Sequence, residues 1–255
     1  MGLRTLQKWH GAGNDFLVDV VEPGDGIWWN GERAQRACHR SFGVGADGVL
    51  VATLGAPVTM VLYNADGSVA EMSGNGIRCL AAAVRRATKA DWDELEVLTD
   101  AGERHVELTM DGDAGYGRVD MGEVSFSSTL AGALGVANVG NPHVVVLDDA
   151  SWDERTREEK AASFADQLGG ANVEFVTVLD KSRARIRVIE RGVGWTLACG
   201  TGSVATASVL HRDGLVDSEV TIENPGGDLM VKLGADGASL AGPVQFVADV
   251  GWLEA

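Results

Sequence analysis

Residues 71–84 read EMSGNGIRCLAAAV, a glycine-flanked turn that runs into an alanine-rich helical stretch. Residues 197–210, LACGTGSVATASVL, have the same shape, with Cys199 where the first segment carries Ser73. Placing Ser73 on Cys199 sets an offset of 126 (199 − 73), and Gly74 then falls on Gly200, Asn75 on Thr201, Gly76 on Gly202 and Ala81 on Ala207. Nine residues upstream of each site a polar residue ends a strand-like run, Asn64 in one case and Glu190 in the other. Further upstream, HGAGND (10–15) faces NVGNPH (138–143), with Asn14 and Asn141 offset by 127 (141 − 14). One recurring glycine turn is weak evidence. Three landmarks in the same order at nearly one period predict a duplicated chain.

The remaining pattern fits two halves of one kind. Runs rich in Val, Ile, Leu and Thr, such as VTMVLYN (58–64) and ARIRVIE (184–190), dominate both and read as strands. Helical patterns are few: 29–40, 77–88, about 152–168 and 203–213. The predicted fold class is α+β, two similar domains related by internal duplication, each a curved, mostly antiparallel sheet around a central helix. The division falls in VDMGEVSF (119–126), giving a first domain of 1–121 plus about 244–255 and a second of 122–243. The last residues are expected to return to the first domain's sheet.

Composition narrows the function. Lys plus Arg against Asp plus Glu gives 21 − 37 = −16, which argues against nucleic acid or an anionic membrane as partner. Three cysteines, Cys38, Cys79 and Cys199, are too few and too scattered for a disulfide framework or a zinc site, so no metal is expected. The start has no signal-peptide character and no apolar run approaches the roughly 20 residues of a membrane span, so a cytoplasmic location is expected. GVGADG (43–48) is glycine-rich, but a loose glycine pattern is weak evidence for a nucleotide.

The two turns carry the chemistry. Glycines there let the backbone bend sharply and leave amide N–H groups open, and the partial positive charge of a helix start favours a carboxylate. A cysteine in that setting is expected to have its pKa lowered from about 8.5, which makes Cys199 a candidate base. The alternative is a small buried thiol at a helix start. Two such helix starts suggest a pocket for a zwitterionic amino acid, with one acid–base group on each side of an α-carbon. That is racemase or epimerase chemistry without pyridoxal phosphate.

WHGAGNDF (9–16), FGVGADG (42–48), YNADGSVAEMSGNGIRC (63–79), GNPH (140–143), ERGVGWTLACGTG (190–202) and NPGGDL (224–229) resemble the signature segments of the diaminopimelate epimerase family. They stand in family order over nearly the whole chain. The resemblance implies interconversion of L,L- and meso-diaminopimelate on the route to lysine and peptidoglycan, by two cysteines and no cofactor, in a protein that is often a homodimer. It implies that Asn14, Asn64, Asn141 and Asn172 bind substrate and that Glu190 and Arg191 hold its distal amino and carboxylate groups. Gly74, Asn75, Gly200 and Thr201 would cradle the reacting carboxylate through backbone amides, Cys199 would be one catalytic cysteine, and His143 and Glu190 would assist. Against these roles stand bland ones: a cap beside Pro142 for His143, and turn residues for the asparagines.

At the second catalytic position the family pattern has cysteine and this chain has Ser73. Cys79 lies six residues further on, inside the helix, and reads as a core thiol. An alcohol is a far weaker acid than a thiol and a poor base unless activated. Four outcomes stay open at this point: a Ser73 activated by a neighbour such as His143 or Glu190, a slow epimerase, one-base chemistry on Cys199 such as elimination or another isomerisation, or an amino-acid-binding relative of little activity. With no second thiol opposite Cys199, an inactivating disulfide cannot form there.

Overall fold

The structure, a computed structural model, describes residues 3–25, 28–127 and 130–253. Residues 1, 2, 26, 27, 128, 129, 254 and 255, which the predicted domain ranges include, lie outside the described residues. The chain divides into two compact units, one of 1–119 with 242–255 and one of 120–241.

The first unit runs β1 (Leu3–Gly11), β2 (Asn14–Val21), α1 (Gly31–Cys38), β3 (Gly48–Thr53), β4 (Val58–Asn64), β5 (Val69–Ala70), α2 (Gly74–Thr88), β6 (Glu94–Thr99), β7 (Gly102–Asp111) and most of β8 (Ala114–Gly122). After β9 (Ser125–Phe126), the second repeats that order as β10 (Gly135–Asn138), β11 (Pro142–Leu147), α3 (Glu154–Gln167), β12 (Asn172–Asp180), β13 (Arg183–Glu190), β14 (Gly194–Thr196), α4 (Gly200–Arg212), β15 (Glu219–Asn224), β16 (Gly227–Gly234) and the first part of β17 (Gly237–Leu253). Pairing repeats as well. β2 with β3 and β4 with β6 are parallel, as are β11 with β12 and β13 with β15. The other pairs with a defined register are antiparallel, including β1 with β2, β3 with β4, β10 with β11 and β12 with β13. The duplicated α+β architecture expected from the sequence is therefore present, and the structure adds that the same strand pairs are parallel in both halves. The far end of β17 pairs with β1, Leu3 opposite Leu253 and Gln7 opposite Asp249.

A helix that is apolar all round belongs inside. Residues 74–84 of α2 and 202–210 of α4 are buried on every side, and their alanines let strands approach closely. The outer helices α1 and α3 bury one face each: Ala34 and Ala37 against Leu6, Leu17 and Trp29, and Ala161 and Phe164 against Val173 and Phe175. Both central helices begin three residues earlier than the sequence reading placed them, at Gly74 and Gly200 instead of 77 and 203. The glycines taken for a turn form the first helical turn. Leu80 on α2 is fully buried. Leu80→Ala is expected to destabilise the protein by about 2–5 kcal/mol in a denaturant titration, because the surrounding strands cannot close the cavity.

Candidate active site

Each central helix is capped by one of the two residues singled out in the sequence. Ser73 caps α2 with φ −139° and ψ 123°, and its Oγ accepts the Gly76 N–H at 3.1 Å. Cys199 caps α4 with φ −122° and ψ 114°, and its Sγ accepts the Gly202 N–H at 3.4 Å. Ile77 N–H donates to the Ser73 carbonyl and Ser203 N–H to the Cys199 carbonyl, each at 2.9 Å. Two of the first amides in each helix are thus satisfied by the cap. Among the described residues, the amides of Gly74, Asn75, Gly200 and Thr201 make no hydrogen bond. Paired open N–H groups at a helix start favour a carboxylate. A side chain at the third helical position would be crowded: a Cβ on Gly76 would lie 3.1 Å from Ser73 Cβ, and one on Gly202 3.2 Å from Cys199 Sγ and 2.6 Å from Glu174 Oε1.

Around Ser73 a polar chain fixes the first turn. Asn75 Nδ2 donates to Asn14 Oδ1 at 3.3 Å, and Asn14 Nδ2 donates to Asp47 Oδ2 at 2.8 Å. Arg78, fully buried one turn along α2, donates to Asn75 Oδ1 and to the Gly74 carbonyl, both at 2.8 Å. Burial pulls its guanidinium down to about 10, which leaves it charged at neutral pH. Gly11 and Gly117 make room for it, since a Cβ there would come within 3.3 and 3.1 Å of its side chain. Asn64, at the end of β4, bonds Ser68 Oγ at 3.0 Å. Cys79 lies in the core, and burial raises its thiol to about 12.

Around Cys199 the groups are ionisable. The Glu190 carboxylate accepts from Thr196 Oγ1 at 2.7 Å and faces the Cys199 thiol. His143 Nδ1 lies 2.6 Å from Glu174 Oε1 and Nε2 lies 2.9 Å from Asn141 Oδ1. Both His143 and Glu174 are fully buried. Asn172 Oδ1 accepts the Arg191 N–H at 2.9 Å, and the Arg191 side chain lies over Gly170.

The expectation of a lowered thiol pKa does not hold. Burial, then the charges of Glu190 and Glu174, push Cys199 well above the ordinary thiol range, and the bonds from Thr201 and Gly202 oppose this too weakly. The helix start is one local dipole; two carboxylates in a dry site outweigh it. Burial also raises the Glu190 carboxyl, which makes it a better proton acceptor than an exposed carboxylate. Thiolate absorbance from Cys199, taken as the difference from Cys199→Ala, is accordingly expected only in alkaline solution. Glu190→Gln removes one of the raising charges and is expected to move that onset to lower pH; an unmoved onset would refute the assigned cause.

His143, Glu174 and Cys199 place a nitrogen, an oxygen and a sulfur within 4.8 Å of one another. The 2.6 Å between Nδ1 and Oε1 is a hydrogen bond, shorter than the about 3.3 Å that separates two ligands of a tetrahedral metal ion. As it stands the cluster is a proton-bearing pair.

The two halves differ behind their caps. Register pairs Phe16 with Gly48 and Val18 with Leu50 in the first unit, and His143 with Asn172 and Val145 with Glu174 in the second. Phe16 and Leu50 therefore occupy the positions of His143 and Glu174. Leu50 Cδ2 lies 3.4 Å from a Cβ built on Gly76, and Glu174 Oε1 lies 2.6 Å from one built on Gly202. Glu174, Asp47 and Arg78 were not found from the sequence. Glu174 carried a signal, because a strand places it on the same face as Asn172, two residues away. Arg78 inside a helix and Asp47 in a glycine loop carried none.

The profile of the family described as diaminopimelate epimerase matches residues 6–127 and 135–247. The diaminopimelate epimerase of Clostridium perfringens is 36% identical over 267 residues, covering 96% of this chain and 97% of its own. That of Thermosynechococcus vestitus is 38% identical over 263 residues, covering 89% and 91%. Among solved structures, a predicted epimerase from Pseudomonas aeruginosa superposes with a TM-score of 0.76 at 16% identity over 99% of this chain and 100% of its own. A hydroxyproline epimerase from Agrobacterium vitis with bound trans-4-hydroxy-L-proline superposes with a TM-score of 0.69 at 15% identity, covering 98% and 91%. At such identities the structures establish a shared fold.

Proposed function

The chain belongs to the diaminopimelate epimerase family, and from that premise we propose that it interconverts L,L- and meso-diaminopimelate by removing and returning the α-proton, without a cofactor. The observation that carries this reading is the matched pair of caps. In each half the same backbone conformation sets an acid–base side chain over a helix start whose first two amides are open. The amides of Gly74, Asn75, Gly200 and Thr201 bind the α-carboxylate. Asn14, Asn64, Asn141 and Asn172 orient the substrate, and Glu190 and Arg191 serve the distal groups. Cys199 acts on one face of the α-carbon and Ser73 on the other.

Proton bookkeeping follows from the electrostatics. A thiol held well above its ordinary range rests protonated, so it carries a proton to give, though as a weaker acid than a free thiol. To act as base it must first lose that proton, and Glu190, turned toward it and raised by burial, is the acceptor at hand. The thiolate then takes the α-hydrogen, leaving a carbanion that a proton delivered from the Ser73 side converts to the other epimer.

The test is incubation with each isomer in deuterated water, following α-deuterium uptake together with stereochemistry. Uptake with inversion supports the epimerase. Absence of both from either isomer would sink catalysis on this substrate. One observation favours a second reading: Phe16 and Leu50 replace the ionisable pair behind Ser73, as suits one-base chemistry on Cys199 such as β-elimination. Uptake without inversion is its signature.

A further inference from the structure

We propose that Glu174 is a positioning residue of the Cys199 half: it fixes Nδ1 of His143 as a proton donor, so that Nε2, facing Asn141, is the ring nitrogen at which a proton is gained or lost. This rests on the reading of that half as acid–base machinery.

Three observations converge on Glu174. The first is its single strong bond. The side chain is fully buried, Oε1 sits 2.6 Å from His143 Nδ1, and Oε2 has no hydrogen-bond partner. A buried carboxylate with one partner is held by that partner, and it holds the ring in return. The second is the space cleared for it. A Cβ at Gly202 would come 2.6 Å from Oε1, so the first turn of α4 is bare where the carboxylate passes, and the Gly202 amide is the one bonded to Cys199 Sγ. The third is the repeat. The same parallel strand pair is built in the first unit with Phe16 and Leu50 at the equivalent positions. The fold therefore does not need an ionisable pair there, and apolar replacement of a buried pair is often neutral or stabilising.

What the pair adds is control of Nε2. A neutral imidazole has one N–H. With Nδ1–H committed to Glu174, a neutral ring offers Nε2 a lone pair, which the Asn141 amide meets by turning its NH2 inward. An Nε2–H would instead meet Asn141 Oδ1; the two atoms lie 2.9 Å apart. The orientation of Asn141, one of the proposed substrate-binding residues, thus follows the proton load of His143. Among the described residues Glu190 acts on both members of the pair, and Cys199 lies beside Glu174.

The experiment uses the full chain labelled with 15N-histidine, with the His143 signals identified by their loss in His143→Gln. The wild type is expected to show a protonated Nδ1; an Nε2–H tautomer would overturn the proposal without any variant being made. Glu174→Leu, which installs the residue of the first half, is expected to release that tautomer preference and to lower kcat on diaminopimelate by about tenfold or more while KM stays within roughly threefold. Should Glu174→Leu fail to fold, Glu174→Gln keeps the volume and is expected to show the same changes in weaker form. A folded variant with an unchanged tautomer or wild-type kcat would overturn the assignment. If the wild type shows the fixed tautomer, lost in the variant, yet turns over no diaminopimelate, the substrate reading fails and the positioning contact stands.

Discussion

Cys199→Ala is expected to slow epimerisation of both L,L- and meso-diaminopimelate by roughly 10²–10⁴-fold, the usual contribution of a positioned acid–base group. At about 1.36 kcal/mol per decade this is about 3–5 kcal/mol of lost transition-state stabilisation. The two isomers must suffer together. Their equilibrium is set by their own free energies, so a change in catalytic efficiency one way is matched by the same factor the other way. Alanine also removes the cap that accepts the Gly202 N–H, with an expected stability cost of about 0.5–2 kcal/mol. Cys199→Ser separates the two effects. An oxygen keeps the cap, as Ser73 does on α2 at 3.1 Å, and loses only the acid–base strength of sulfur. If Cys199→Ser retains the wild-type rate, the thiol is not the working group. Cys79→Ala is the control: that thiol is buried in the core, and its loss should touch stability and leave the rate alone.

The sequence made the architecture legible because its strongest signals are local and recur. A small polar residue followed by glycines and alanines announces a capped, buried helix, and two copies at one spacing announce the duplication. The helix starts were misplaced for an equally local reason. Gly74 and Gly76 read as turn residues, and only the packing shows that a Cβ on Gly76 would crowd its own cap at 3.1 Å. What stayed hidden depends on distant neighbours. Glu174 looks like the polar member of an alternating strand until α4 covers that face and buries it. Arg78 looks like a solvated helical cation until Gly11 and Gly117 are found beside it. The raised thiol pKa is hidden for the same reason: the helix-start rule is local, whereas burial and, after it, the carboxylates of β12 and β13 come from the fold.

Ser73→Cys is expected to raise kcat/KM for epimerisation by roughly 10²–10⁴-fold in both directions. An alcohol, with water at about 15.7 as a guide, lies some seven pKa units above a thiol at about 8.5. Only part of such a difference reaches the rate, since proton transfer is incomplete in the transition state and the gain is set by Brønsted behaviour. The site can accept sulfur. Cys199 already shows a thiol at the same cap, with φ and ψ within about 20° of those of Ser73 and a glycine at the same helical position. Serine is the better N-cap, so the variant is expected to lose about 0.5–1 kcal/mol of stability while it gains activity. It should also acquire a liability that the wild type lacks. If both groups act on one α-carbon, two thiols can be oxidised to a disulfide, so a mild oxidant should inactivate Ser73→Cys reversibly and spare the wild type. Within its own unit Ser73 is backed by Leu50 where Cys199 has Glu174, so the residue at that position cannot strengthen the hydroxyl as a base. A variant that gains nothing, or loses activity, would show that the hydroxyl has a task a thiol cannot perform, and would move the chemistry to Cys199 alone.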